Sequence, residues 1–94
     1  VVKTNVNQRY ATSPSSVVPI VRAATSAGVH LQTFSSRNNI ACGSTIGPIT
    51  ATRLGIDTVD IGVPQLSMHS IREMCGTKDP VDLVALLSVY FSRL

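Results

Sequence analysis

His69, in the run Ser67-Met68-His69-Ser70-Ile71-Arg72-Glu73, is the side chain of this sequence best suited to hold a metal ion or move a proton. It follows a strand-like stretch, Thr58-Val59-Asp60-Ile61-Gly62-Val63, and a Pro64 that ends regular pairing. That order sets the imidazole at a strand-to-loop edge, where binding residues concentrate. On position alone, a single histidine is more often a satisfied core or surface residue than a ligand. Zinc needs three or four protein ligands, and the uncommitted acids on offer are Asp57, Asp60 and Glu73. Glu73 stands four residues after His69 and would share a helix face with it, but H-x-x-x-E is not the H-E-x-x-H of zinc proteases and fits a simple hydrogen-bonded pair. Neither His30 nor His69 has an identifiable nucleophile partner, so no catalytic triad is legible.

Two other features carry chemistry. Cys42-Gly43-Ser44-Thr45-Ile46-Gly47-Pro48 leads into a helical pattern, and residues 43–47 would aim backbone N–H groups and two hydroxyls at a carboxylate or phosphate. The lysine and spacing of a nucleotide P-loop are missing, so a tight turn that needs glycine is an equal reading. Lys3 lies inside a strand-like Val1-Val2-Lys3-Thr4-Asn5-Val6, where lysine is disfavoured and must snorkel or find an anion. An edge-strand charge that blocks aggregation is the plainer alternative.

The elements that must hold these groups follow from periodicity. Ser13-Pro14-Ser15-Ser16 supplies capping hydroxyls ahead of Val17, Val18, Ile20, Val21 and Ala24, with Ser15 or Ser16 as the cap, Pro19 in the first turn and Gly28 as the stop. A strand is predicted over 29–35 with His30 facing away from the core. A short helix over 49–54 ends at Gly55, and a third strand covers 56–62. Asp79 caps a terminal helix with Pro80 first inside it, and the wide apolar face from Val81 to Leu94 predicts burial against a sheet. The alternation makes the fold class α/β, a parallel or mixed sheet with flanking helices.

Ninety-four residues allow one domain at most. With 44% apolar and 14% charged residues the chain is a folding one, and such low charge leaves uncharged surface for a partner to cover. The net charge of +3 comes from scattered Lys and Arg, and Tyr10, Phe34, Tyr90 and Phe91 form no stacking platform, so nucleic acid is not an expected partner. No stretch is long and apolar enough for a membrane span and no signal peptide is visible, which gives a cytoplasmic expectation. Cys42 and Cys75 lack zinc or redox spacing and read as reduced thiols. Opening on Val1, already strand-like, the chain reads as a piece of something longer.

Three blocks, Lys3-Thr4-Asn5-Val6-Asn7-Gln8-Arg9-Tyr10-Ala11, Cys42-Gly43-Ser44-Thr45-Ile46-Gly47-Pro48-Ile49 and Gln65-Leu66-Ser67-Met68-His69-Ser70-Ile71-Arg72-Glu73, together resemble the C-terminal part of aspartyl aminopeptidases. These are dinuclear zinc exopeptidases that remove acidic residues from peptide N-termini. The resemblance runs from Lys3 to about Phe91 and implies that residues 1–94 are the C-terminal segment of a catalytic domain, a single incomplete one. It implies that His69 is the last zinc ligand, that Lys3 belongs to the pocket for the substrate's acidic side chain, and that Tyr10 contacts substrate. Two Zn2+ ions per complete site, peptides with an acidic N-terminal residue, the remainder of the same enzyme and a homo-oligomeric assembly are implied with them. The other zinc ligands and the catalytic glutamate of such enzymes lie upstream of Val1, so no catalytic residue is expected in the chain and the isolated segment is expected to be inactive. Asn39 departs from the family's usual aspartate, and Ile40-Ala41 from its usual Met-Pro or Thr-Pro. The reading from another class is a stand-alone α/β module that binds an anion at 43–47 and no metal.

Overall fold

Ser13 starts the first helix. Its backbone is extended (φ −126°, ψ 164°), its Oγ accepts the Ser16 N–H at 3.2 Å, and Ser16 Oγ accepts the Ser13 N–H at 2.8 Å. This reciprocal box satisfies two donors that have no partner within the helix. Pro14 follows at the first helical position, where no N–H is required, and α1 runs Pro14–Ala27. The expected cap at Ser15 or Ser16 is therefore corrected to Ser13, and Pro19 lies in the body of the helix rather than in its first turn. Gly28 ends the helix in the left-handed region (φ 71°), as its residue type predicts, with Val29 N–H returning to Ala24 O at 2.9 Å.

The computed structural model describes residues 1–4, 11–35 and 46–93. The remaining elements are β1 (Val2–Thr4), β2 (Thr33–Ser35), α2 (Ile46–Leu54), β3 (Asp60–Ile61) and α3 (Asp79–Ser92). They form a mixed three-stranded sheet in the order β2-β1-β3, parallel between β1 and β2 and antiparallel between β1 and β3. The α/β class holds, and the parallel pair is joined through α1, the connection such a pair needs. Val2 lies opposite Thr33 and Ile61, and Lys3 opposite Phe34 and Asp60. Val1 and Gly62 exchange two further bonds, at 2.7 and 3.0 Å, that prolong the antiparallel ladder.

Both outer strands are shorter than their alternation predicts. Pairing with β2 begins where Gln32 O accepts the Val2 N–H at 2.8 Å, so Val29 and Leu31 pack on the core from outside the ladder while His30 is exposed as expected. The third strand reduces to Asp60–Ile61. Gly55 (φ 63°) stops α2 as predicted.

Ala23 and Ala24 of α1 and Leu86 of α3 are buried together, ringed by Val29, Leu31, Ile61, Val89 and Tyr90. Small alanine side chains let the two helices approach, and α3 packs chiefly on α1. The expectation that α3 buries a wide face against the sheet is thus corrected. Leu86 is its buried residue, while Val81, Val84 and Phe91 are exposed. The cap differs too: Lys78 precedes the helix without a side-chain bond, Asp79 is the first helical residue, and Pro80 the second. Asp79 and Asp82 in the first turn suit the positive end of the helix dipole. No helix among the described residues is long and apolar enough to cross a membrane.

Ser13→Ala is expected to lower unfolding free energy by about 1 kcal/mol through loss of the box. A reduced denaturant midpoint at unchanged slope is the signature, and an unmoved midpoint would mean that the box contributes nothing.

Candidate functional site

His69 sits where the sequence puts it, beyond the last strand and Pro64, on a loop closed by its own backbone. Leu66 and Met74 pair across the base, with N–H···O distances of 2.8 and 3.1 Å. Inside, Ser70 N–H donates to Ser67 O at 3.1 Å and Arg72 N–H to Ser70 Oγ at 3.1 Å. The path requires left-handed backbone at two residues that carry a Cβ, Ser67 (φ 56°) and His69 (φ 70°). Such conformations cost free energy and gather at functional sites. His69 and Glu73 do form a pair, but not across a helix face: the donor is the His69 backbone N–H, and Glu73 Oε1 accepts it at 2.5 Å.

The His69 side chain is exposed. An exposed imidazole on a clamped loop has the chemistry of one corner of a metal centre, with two ring nitrogens to divide between a metal and an orienting acceptor. Among the described residues, no group of three or more His, Cys, Asp or Glu side chains comes together to complete such a centre. A zinc centre that used His69 would need its other ligands from outside these residues. Asp57 is exposed and Asp60 is engaged elsewhere.

Lys3 is half-buried on the middle strand of the sheet. Its direct partner across β1 and β3 is Asp60, so the two opposite charges share a sheet face. Gly62 lies on that face just past the end of β3, and the tip of the Lys3 chain passes over it, with Nζ 3.5 Å from where a Cβ would stand. Asp60 binds in other directions as well. Its Oδ2 accepts the Ala11 N–H at 2.5 Å, and its own N–H donates to Thr12 Oγ1 at 2.9 Å. A Cβ placed on Gly47, in the first turn of α2, would lie 2.5 Å from Asp60 Oδ1 and 2.7 Å from Oδ2. Asp60, on the strand paired with that of Lys3, thus holds the segment after Tyr10 by hydrogen bonds and has its carboxylate close against Gly47 at the start of α2. The sequence reading left Asp60 as an uncommitted acid; an aspartate in a strand, where that residue is disfavoured, was the available signal.

The predicted anion site at 43–47 falls mostly outside the described residues, as do Tyr10, Cys42 and the loop of Asn39, Ile40 and Ala41. At Gly47 the anion beside the helix start is the chain's own Asp60. Cys75 is a free, exposed thiol. A cleft of about 350 Å³ opens between the first turns of α3 and residues 29–32 and 62–64, and neither Lys3 nor His69 is in its wall.

Comparison with known proteins gives a consistent result. Residues 1–91 match the profile of a family described as Aminopeptidase I zinc metalloprotease (M18). An aspartyl aminopeptidase of Caenorhabditis elegans is 50% identical over 94 residues, which are 100% of this chain and 20% of that protein. Aspartyl aminopeptidase 1 of Schizosaccharomyces pombe is 50% identical over 93 residues, 99% of this chain and 20% of that protein. A probable M18 family aminopeptidase 2 of Streptomyces coelicolor is 56% identical over 80 residues, 85% and 18% of the two chains. The crystal structure of prApe1 superposes with a TM-score of 0.88 at 35% identity, covering 97% of this chain and 19% of that one. The chain spans about a fifth of the length of the curated relatives it matches.

Gly47→Ala and Asp60→Ala are expected to be strongly coupled. Asp60→Ala should cost about 1–3 kcal/mol by orphaning its donors, and Gly47→Ala should destabilise by pushing the carboxylate aside. In the Asp60→Ala background the same alanine should be neutral or stabilising by up to about 1 kcal/mol, its helix propensity unopposed. Additive effects in a denaturation cycle would refute the contact.

Proposed function

Because the chain belongs to the Aminopeptidase I zinc metalloprotease family, we propose that it is the C-terminal segment of the catalytic domain of an aminopeptidase that removes Asp and Glu from peptide N-termini. The observation that carries the substrate class is Lys3, a half-buried cation on the central strand, in a chain half identical to aspartyl aminopeptidases. A cation partly withdrawn from water attracts a carboxylate side chain and repels a lysine one. At an effective dielectric of about 20, a pair about 4 Å apart interacts by roughly 4 kcal/mol before desolvation is charged against it. That is ample to sort acidic from neutral residues.

His69 would hold one of two zinc ions through a ring nitrogen, with the other ligands and the catalytic glutamate supplied by the rest of the enzyme. Bound zinc would supply Lewis acidity at the scissile carbonyl and lower the pKa of water at the site. Lys3 orients the substrate by its acidic side chain, and the Tyr10 phenol donates a hydrogen bond to the oxygen on which negative charge develops. One imidazole fixes no metal by itself, so the isolated segment is inactive. The proposed partners are acidic N-terminal peptides, the remainder of the polypeptide and further copies of the same enzyme, in the cytoplasm.

In the full-length enzyme, Lys3→Ala is expected to lower kcat/KM on an acidic substrate about tenfold or more beyond its effect on a neutral analogue. Equal losses on the two substrates would remove Lys3 from the specificity pocket. His69→Ala is expected to reduce bound zinc measured by metal analysis. Zinc content unchanged by that substitution would remove His69 from the ligand set, and no stoichiometric zinc in the parent would favour the metal-free anion-binding module instead.

A further inference from the structure

We propose that Glu73 is a positioning residue for His69: its carboxylate grips the His69 backbone and thereby sets the direction in which the imidazole leaves the loop. This rests on the reading of His69 as a zinc ligand. The direction of a Cα–Cβ bond is fixed by the backbone that carries it, and at His69 that backbone is left-handed (φ 70°), a conformation that a residue with a Cβ leaves readily unless it is held.

Packing among the described residues does not hold it. Ile71 is 99% exposed, and Leu66, Met68 and Met74 are also exposed. Hydrogen bonds remain. The Leu66–Met74 pair closes the base of the loop, and the Ser67–Ser70 and Ser70–Arg72 bonds shape the turn. The bond that reaches the N–H of His69 itself runs to Glu73 Oε1 at 2.5 Å. Its acceptor is a carboxylate, which makes the bond charge-assisted. Glu73 adjoins Met74, whose backbone is tied to Leu66, so the acceptor is referred to the loop base. The path from loop base to imidazole is then Leu66–Met74, Glu73 carboxylate, His69 backbone, ring.

A positioning acceptor differs from a metal ligand or a general base in what it tolerates. Glutamine keeps an oxygen at the same reach and loses the charge; aspartate keeps the charge and falls short by one methylene. In the full-length enzyme, zinc affinity read by chelator competition with added Zn2+ should drop about tenfold or more for Glu73→Ala and for Glu73→Asp. Glu73→Gln should stay within about threefold of the parent, since the neutral acceptor persists. Parental affinity in Glu73→Ala, or a Glu73→Gln as weak as Glu73→Ala, overturns the inference. Should Glu73→Ala fail to fold, the contrast between Gln and Asp decides alone: Gln above Asp supports positioning, and Asp equal to or above Gln refutes it. His69→Ala is the reference. Zinc retained there defeats the ligand reading itself, whereas zinc lost there but kept in Glu73→Ala defeats only the role of Glu73.

Discussion

The pairing of β3 with β1 at Lys3 and Asp60 is the constraint on which the arrangement of this chain depends. Two residues of β3 join the ladder, too few to fix a strand by backbone bonds alone. The Asp60 carboxylate extends that grip by taking the Ala11 N–H and lying against Gly47, while its backbone N–H reaches Thr12. Each such bond to a charged acceptor contributes on the order of 1.5–3 kcal/mol when it is shielded from water. A carboxylate also stands well at the positive end of α2. Three segments far apart in sequence are thereby brought to one face of the sheet, the face that carries Lys3.

Apolar burial contributes less to this order than the composition suggests. The buried hydrophobic residues among those described are Val2, Ile20, Ala23, Ala24 and Leu86, two of them alanines. The larger side chains of α2 and of the 66–74 loop, including Ile46, Leu54, Leu66 and Ile71, are exposed. Fully burying one such side chain contributes about 1.5–3 kcal/mol, so covering several of them would be favourable. Relatives about five times as long supply polypeptide that can cover it. The same reasoning applies to the proposed metal centre, whose further ligands would have to come from outside the described residues.

What was legible in the sequence was local chemistry with a fixed backbone demand. Gly28 and Gly55 end helices because each adopts positive φ, and Pro14 and Pro80 stand at helix starts where the absent N–H is harmless. The position of His69 after a proline-terminated strand was equally readable. Strand length was not, because alternation marks a face that is compatible with pairing and says nothing of where the partner strand stops. The sequence leaves the cap at Ser15 or Ser16 rather than Ser13 because all three carry capping hydroxyls, and the reciprocal geometry alone selects Ser13. The packing of α3 on α1 rather than on the sheet is a tertiary choice that an apolar face does not encode. Asp60 was overlooked for a similar reason: its partners, Ala11, Thr12 and Gly47, are adjacent to it only in space.

The left-handed backbone at His69 is consistent with the proposed centre being divided between this loop and polypeptide outside it. A ligand on a regular strand would inherit its direction from the sheet, and alternation would restrict it to two faces. A ligand on a loop can be aimed anywhere, at the cost of holding the loop. Two left-handed residues with Cβ atoms cost on the order of 1–2 kcal/mol each, and the hydrogen bonds within 66–74 offset part of that. A zinc ion held there would add a further restraint on the loop through the imidazole. A loop of this kind therefore need not be rigid by itself. Its internal bonds narrow the directions open to the imidazole, and coordination to the proposed zinc would select among those that remain.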